Sequence, residues 1–158
     1  VALDLRKDAI PNISYDPLAE HFENTGEPVT FENIAKAVTA IRQSKLPDPT
    51  KLPNAGSFFK NPVLTDQQIR KIQRRHKDLP LFPVDDKGHY KTSAAWLLEQ
   101  CGFKGFREGD AGFYEKHALV LVNHGKATGK ELHKLTILAK RTVKNKFGVI
   151  LEEEVRVL

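Results

Sequence analysis

Residues 117–148 read HALVLVNHGKATGKELHKLTILAKRTVKNKFG, and they decide the fold because an unbroken apolar run meets a marked helix start. ALVLV, between His117 and Asn123, is the pattern of a buried strand. Thr128 and Glu131 have capping-box spacing, after which Leu132, Leu135, Ala139 and Val143 lay one apolar stripe along a long helix closed by Phe147-Gly148. The junction HGKATGKE lies where a phosphate-cradling loop would be. Yet His124 stands in place of its first glycine and Glu131 in place of the Ser or Thr that would hold magnesium, so the stretch predicts a capped helix start.

Upstream of this pair, Thr92-Ser93 opens a helix in which Ala94, Leu97, Leu98 and Cys101 share a face and Gly102 ends it. Gly102 to Gly112 holds four glycines among charged residues and predicts a loop with tight backbone approaches. LPLFPV, the turn Asp85-Asp86-Lys87-Gly88 and His89-Tyr90-Lys91 predict a hairpin, with Pro80 and Pro83 confining the first arm to an edge or irregular path. Thr65 with Gln68 forms another capping box, Leu64 with Ile69 a hydrophobic staple, and the run QRKIQRRH that follows is a solvated helix face. Nearer the N-terminus, Thr30 caps a helix carrying Ile34, Val38 and Ile41. Asp16-Pro17 starts a short helix with Asp16 as N-cap, stopped at Gly26, and Val1, Leu3 and Leu5 alternate like a strand. VILEEEVRVL at the end reads as a strand with Glu152, Glu154 and Arg156 on one side.

The resulting order is strand, helix, helix, loop, helix, hairpin, helix, strand, helix, strand. It predicts an α+β domain with a small, mostly antiparallel sheet and several packed helices, not a doubly wound one. Residues 1–44 group as a strand and helices leading into a separate domain over 45–158.

The chain has 158 residues and a formal net charge of +5, with Lys+Arg 25 against Asp+Glu 20, one cysteine and no methionine. That length supports one good core and at most a small appendage. No apolar run approaches the roughly 20 residues of a spanning helix, and the opening VALDLRKDAI lacks a signal peptide's architecture. A lone Cys101 reads as core packing and favours a reducing, cytoplasmic compartment. A chain that begins with Val and has no Met is expected to be a processed or cloned piece of something longer. The cations are scattered among acids, so an anionic partner is allowed while nucleic acid and membrane are not expected. Six histidines show no metal-ligand spacing, and neither GxGxxG nor GxSxG occurs.

The stretch KLPDPTKLPNAGSFFKNP, residues 45–62, has four prolines and is expected to be irregular, with Phe58-Phe59 pinning it to a core. A pinned loop carrying Lys45, Ser57 and Asn61 is a site candidate; the same letters also fit a surface turn that the Phe pair anchors. Tyr15, Glu154 and Arg156 complete a set of groups suited to phosphates, carboxylates and proton delivery to a carbon acid. These residues indicate an anionic, phosphorylated ligand and no particular reaction.

IRQSKLPDP, PNAGSFFKNP, SAAWLLEQCGFKG, HALVLVN and FGVILEEEVRV, in that order from about Tyr15 to the end, resemble the C-terminal portion of the UDP-N-acetylenolpyruvoylglucosamine reductase (MurB) family. The Tyr15 segment looks like the type with a tyrosine loop. The resemblance implies a flavoenzyme of peptidoglycan synthesis in which NADPH reduces FAD and the flavin passes hydride to an enolpyruvyl UDP-sugar. By the same match, Ser57 would be the proton donor and Glu154 would stabilise the enol intermediate. Asn61, Tyr15 and Lys45 would bind the diphosphate, and Arg156 the substrate. His117 stands where the family usually has Gln near the uridine, Pro53 replaces a Gly, and Glu153 a Pro. The FAD-binding region of the family would lie upstream, as a partner domain of the same protein, with residues 1–44, which include the tyrosine loop, linking to it and 45–158 forming the C-terminal substrate-binding domain. This chain alone is therefore expected to hold neither FAD nor NADPH and to be inactive. The alternative is a basic nucleotide- or nucleic-acid-binding module without catalysis, motivated by the run from Arg70 to Arg75.

Overall fold

The computed structural model describes every residue except Val1, Leu3, Lys7, Asp86, Lys87 and Leu158. Among the described residues five helices and seven short strands divide between two units, Val1–Lys45 and Leu46–Leu158, each with its own core.

The first unit is a helix pair, α1 (Asp16–Thr25) and α2 (Phe31–Lys45). Leu18, Phe22 and Ala37 are buried between them, with Ile13, Ile34 and Ile41 packed around. Thr30 Oγ1 accepts the Asn33 amide at 3.2 Å as the N-cap spacing predicts. Two expectations change here. The N-cap of α1 is Tyr15, because its carbonyl receives the Leu18 and Ala19 amides, while Asp16 is already helical and puts its charge in the first turn. Val38 is exposed, and the buried stripe of α2 runs through Ala37 instead. The strand expected at Val1, Leu3 and Leu5 lies partly outside the described residues; those described there form no strand, and Leu5 is exposed.

The second unit is α+β. Its larger sheet has the order β1 (Asn54–Ser57), β7 (Val120–Asn123), β6 (Ala111–Phe113), β5 (Arg107–Glu108), all antiparallel. The smaller one is β2 (Val63–Leu64), β4 (Tyr90–Lys91), β3 (Phe82–Pro83), also antiparallel, with the proline-bearing β3 on the edge. Three helices, α3 (Asp66–Gln73), α4 (Ala94–Gln100) and α5 (Gly129–Phe147), complete it. Both predicted capping boxes form, at Thr65/Gln68 and Thr128/Glu131. Leu64 and Ile69 are both buried, as a staple requires. Leu97 and Leu98 from α4, Leu135, Ala139 and Val143 from α5, and Phe59 and Phe113 fill one core.

Three stretches differ from expectation. The segment before Ser57 is a strand because its backbone finds partners on β7, with the register broken between Asn54 and Ser57, where Gly56 takes φ +74°. Part of 102–112 is likewise ordered as the tight β5/β6 hairpin, turned by Gly109 at φ +62°. The terminal VILEEEVRVL makes only an isolated antiparallel bridge, Phe59 with Glu153, and is no full strand.

Candidate functional site

NAGSFF owes its shape to two devices. Asn54 folds back on its own backbone, its Oδ1 accepting the Gly56 amide at 3.0 Å and its Nδ2 donating to the Leu52 carbonyl at 2.8 Å. Phe58 and Phe59, edge to face at 5.1 Å and almost fully buried, then anchor the chain. The Phe58 amide donates to the Leu119 carbonyl at 2.8 Å, and the Phe58 carbonyl accepts the Glu154 amide at 2.9 Å. Residues 58–60 therefore run between the start of β7 and the C-terminal segment. Ser57 is in register with Val120 of β7, and Glu154 is held by the next residue, Phe58; both are exposed.

The three consecutive glutamates have different surroundings. Glu152 pairs with Lys60, whose pKa is raised first by that hydrogen bond and then by the charges of Glu152 and Glu154. Glu153 pairs with Lys140 at 3.1 Å. Among the described residues, the Glu154 carboxylate makes no hydrogen bond or ion pair. The lysines on either flank have other partners, so the one carboxylate left to meet a ligand is Glu154.

Asn61 has its Oδ1 committed to the Ala94 amide at the start of α4, at 2.9 Å, which leaves its amide group to act as a donor. His117 precedes β7, and its Nδ1 accepts the Leu119 amide at 3.3 Å. Arg156 lines a cleft of about 410 Å³ with Pro53, Asn54, Phe58, Asn123 and His133. Ser57 and Glu154 are not among its lining residues. Ser57, Asn61, Glu154 and Arg156 thus lie along one pair of strand segments. Tyr15, at the start of α1, and Lys45, at the end of α2, belong to the other unit; both are exposed. Sequence reasoning passed over Asn54, Asn123 and His133. For the two asparagines a signal existed, since both sit where a strand begins or ends and Asn competes there for backbone partners.

The junction 123–131 is closed to a phosphate. Asn123 Oδ1 accepts the Gly125 and Ala127 amides at 3.0 and 3.1 Å, and Asp110 Oδ2 accepts that of Lys126 at 2.9 Å. The donors that a cradle needs are already used. Gly125 is required here because a Cβ would lie 2.7 Å from Asp110. The Lys126 amide, then Arg107, holds the Asp110 carboxyl below the usual range, and the Thr128 amide does the same for Glu131. Burial pushes the Cys101 thiol up, which suits packing and not reactivity. Among the described residues no group of three or more His, Cys, Asp or Glu could hold a metal ion, and no helix is long and apolar enough to cross a membrane.

The second unit is a small α+β domain that exposes Ser57, Glu154 and Arg156. Residues 48–158 match the family described as UDP-N-acetylenolpyruvoylglucosamine reductase, C-terminal domain, and the chain belongs to that family. The UDP-N-acetylenolpyruvoylglucosamine reductase of Chromobacterium violaceum is 54% identical over 126 residues, 80% of this chain and 37% of its own. That of Xanthomonas oryzae pv. oryzae is 47% identical over 147 residues, 92% of this chain and 43% of its own. A crystal structure of the reductase from Thermus caldophilus overlays 83% of this chain and 36% of its own at 25% identity, with a TM-score of 0.47. The chain spans well under half the length of the curated relatives it matches.

Proposed function

We propose that this chain is the substrate-binding part of a cytoplasmic, tyrosine-loop type UDP-N-acetylenolpyruvoylglucosamine reductase, which converts UDP-N-acetylglucosamine enolpyruvate to UDP-N-acetylmuramate for peptidoglycan. What supports the reading is that Ser57 directly precedes Phe58, whose carbonyl accepts the Glu154 amide, within the family-matched region, and that of Glu152, Glu153 and Glu154 only the last makes no ion pair or hydrogen bond among the described residues.

FAD and NADPH supply the hydride in the complete reductase. At the glycine-bearing junction between β7 and α5 the amides of Gly125, Lys126 and Ala127 are already taken, so that junction is no phosphate cradle for either. Hydride addition beside the substrate carboxylate leaves an enolate-like species. In this reading Glu154 stabilises that enol, and the Ser57 hydroxyl delivers the proton that completes the new C–H bond. In this reading Asn61, Tyr15 and Lys45 bind the diphosphate, His117 lies by the uridine and Arg156 binds the substrate.

The test is a chimera in which this chain replaces the corresponding portion of the Chromobacterium violaceum reductase. Ser57→Ala should slow the substrate half-reaction about 10²–10⁴-fold, the usual worth of a general acid, while flavin reduction by NADPH keeps its rate. Equal turnover by the variant would refute the assignment. The 158-residue chain alone should carry no stoichiometric flavin.

A further inference from the structure

A second cleft is lined by none of the candidate site residues. It measures about 290 Å³ and is lined by Lys71, Arg74 and Arg75, from the end of α3 and just beyond it, and by Lys146 from the last turn of α5. Ile72 and Phe147, each 3% exposed, and His76 form its floor. We infer that this cleft is a binding site for a compact polyphosphate anion, independent of the reductase reading.

Four cations converge from two elements and no acid lines the cleft. Five other cations of the same unit, Lys60, Lys104, Lys134, Lys140 and Arg107, each pair with a carboxylate. Among the described residues Lys71, Arg74 and Arg75 pair with none. A solvated helix face accounts for exposed cations on α3, but not for a lysine from α5 in the same concavity. The carbonyl ends of α3 and α5 offset roughly half a charge each, leaving about three of the four positive charges uncompensated.

Lys146 is also held in place. Its Nζ donates to the Gln100 carbonyl and stands 5.4 Å from the Phe147 ring centroid, so two of its three hydrogens remain for a ligand. Two adjacent guanidinium forks supply the bidentate geometry that phosphate oxygens take. The volume lies at the lower edge of small-ligand pockets, about 300 Å³, which fits a di- or triphosphate group and not a whole dinucleotide.

Calorimetry of the 158-residue chain with sodium tripolyphosphate at low salt should show saturable 1:1 binding. Arg75→Gln and Lys146→Gln should each weaken it about tenfold, as loss of one charge-assisted hydrogen bond does. Lys130→Gln, on the first turn of α5 about 24 Å from Lys146 along the helix, should leave it within about twofold. Adenosine triphosphate should bind within about threefold of tripolyphosphate, and adenosine not at all, if the phosphates carry recognition. Absence of saturation, equal weakening by Lys130→Gln, binding that survives the Arg75→Gln/Lys146→Gln double variant, or tighter binding of a duplex oligonucleotide would each overturn the proposal. Circular dichroism separates a misfolded variant from a non-binding one.

Discussion

The junction 123–131 and the ladder formed by 54–60 with 151–155 are both short, polar connections beside one sheet, yet they spend their polar groups in opposite ways. At the junction, Asn123, Asp110, Thr128 and Glu131 saturate the local amides, and a glycine is needed only to let Asp110 approach. On the ladder the Phe58, Lys60 and Glu154 amides are paired while, among the described residues, the exposed side chains of Ser57 and Glu154 make no hydrogen bond or ion pair. Hydrogen bonding turned inward makes a rigid corner. Turned outward on a fixed backbone, it leaves groups for a ligand.

That contrast can be broken at its supports, and the largest effect should come from the anchor. Phe59 is 1% exposed, so Phe59→Ala should destabilise the Leu46–Leu158 unit by about 3–5 kcal/mol in a denaturant titration, with the ladder loosening first. Asn123→Ala strands two amides and one carbonyl and should cost about 1–3 kcal/mol, read as lost amide protection at Gly125 and Ala127. Thr128→Ala removes half of a capping box and should cost about 1 kcal/mol of thermal stability. The smallest effect is acidic. Because the folded-state pKa of Asp110 is depressed, its bonds contribute above the ordinary carboxylate value of about 3.9 and are lost as pH falls through the lower folded value. The Lys126 amide shift should therefore titrate with a midpoint below about 3.9, and not at all in Asp110→Asn.

The elements most legible in the sequence were those with two agreeing local signals. Thr65/Gln68 and Thr128/Glu131 pair a cap with an apolar stripe, and both boxes form. β1 was not legible, because strand formation at NAGS depends on β7, more than 60 residues away, and on a glycine bulge that local propensity cannot anticipate. VILEEEVRVL erred the other way: its alternation is that of a strand, but only one bridge forms, with Phe59. The site letters could be read from a family resemblance and not from chemistry alone. Nothing in EEE distinguishes the third glutamate; Lys60 and Lys140 do so by occupying the other two, and Lys60 lies 92 residues from its partner. The cationic cleft was half visible as RRH after α3, while Lys146 joins only through the fold.

The central claim is that Ser57 and Glu154 act within one site, and a double-mutant cycle in the reductase chimera tests it most directly. Ser57→Ala, Glu154→Gln and the double variant would be compared by the rate of the substrate half-reaction. A shared site predicts strong non-additivity, with the double variant losing little more than the worse single one. Losses that simply multiply, or a Glu154→Gln variant with unchanged rate, would contradict it.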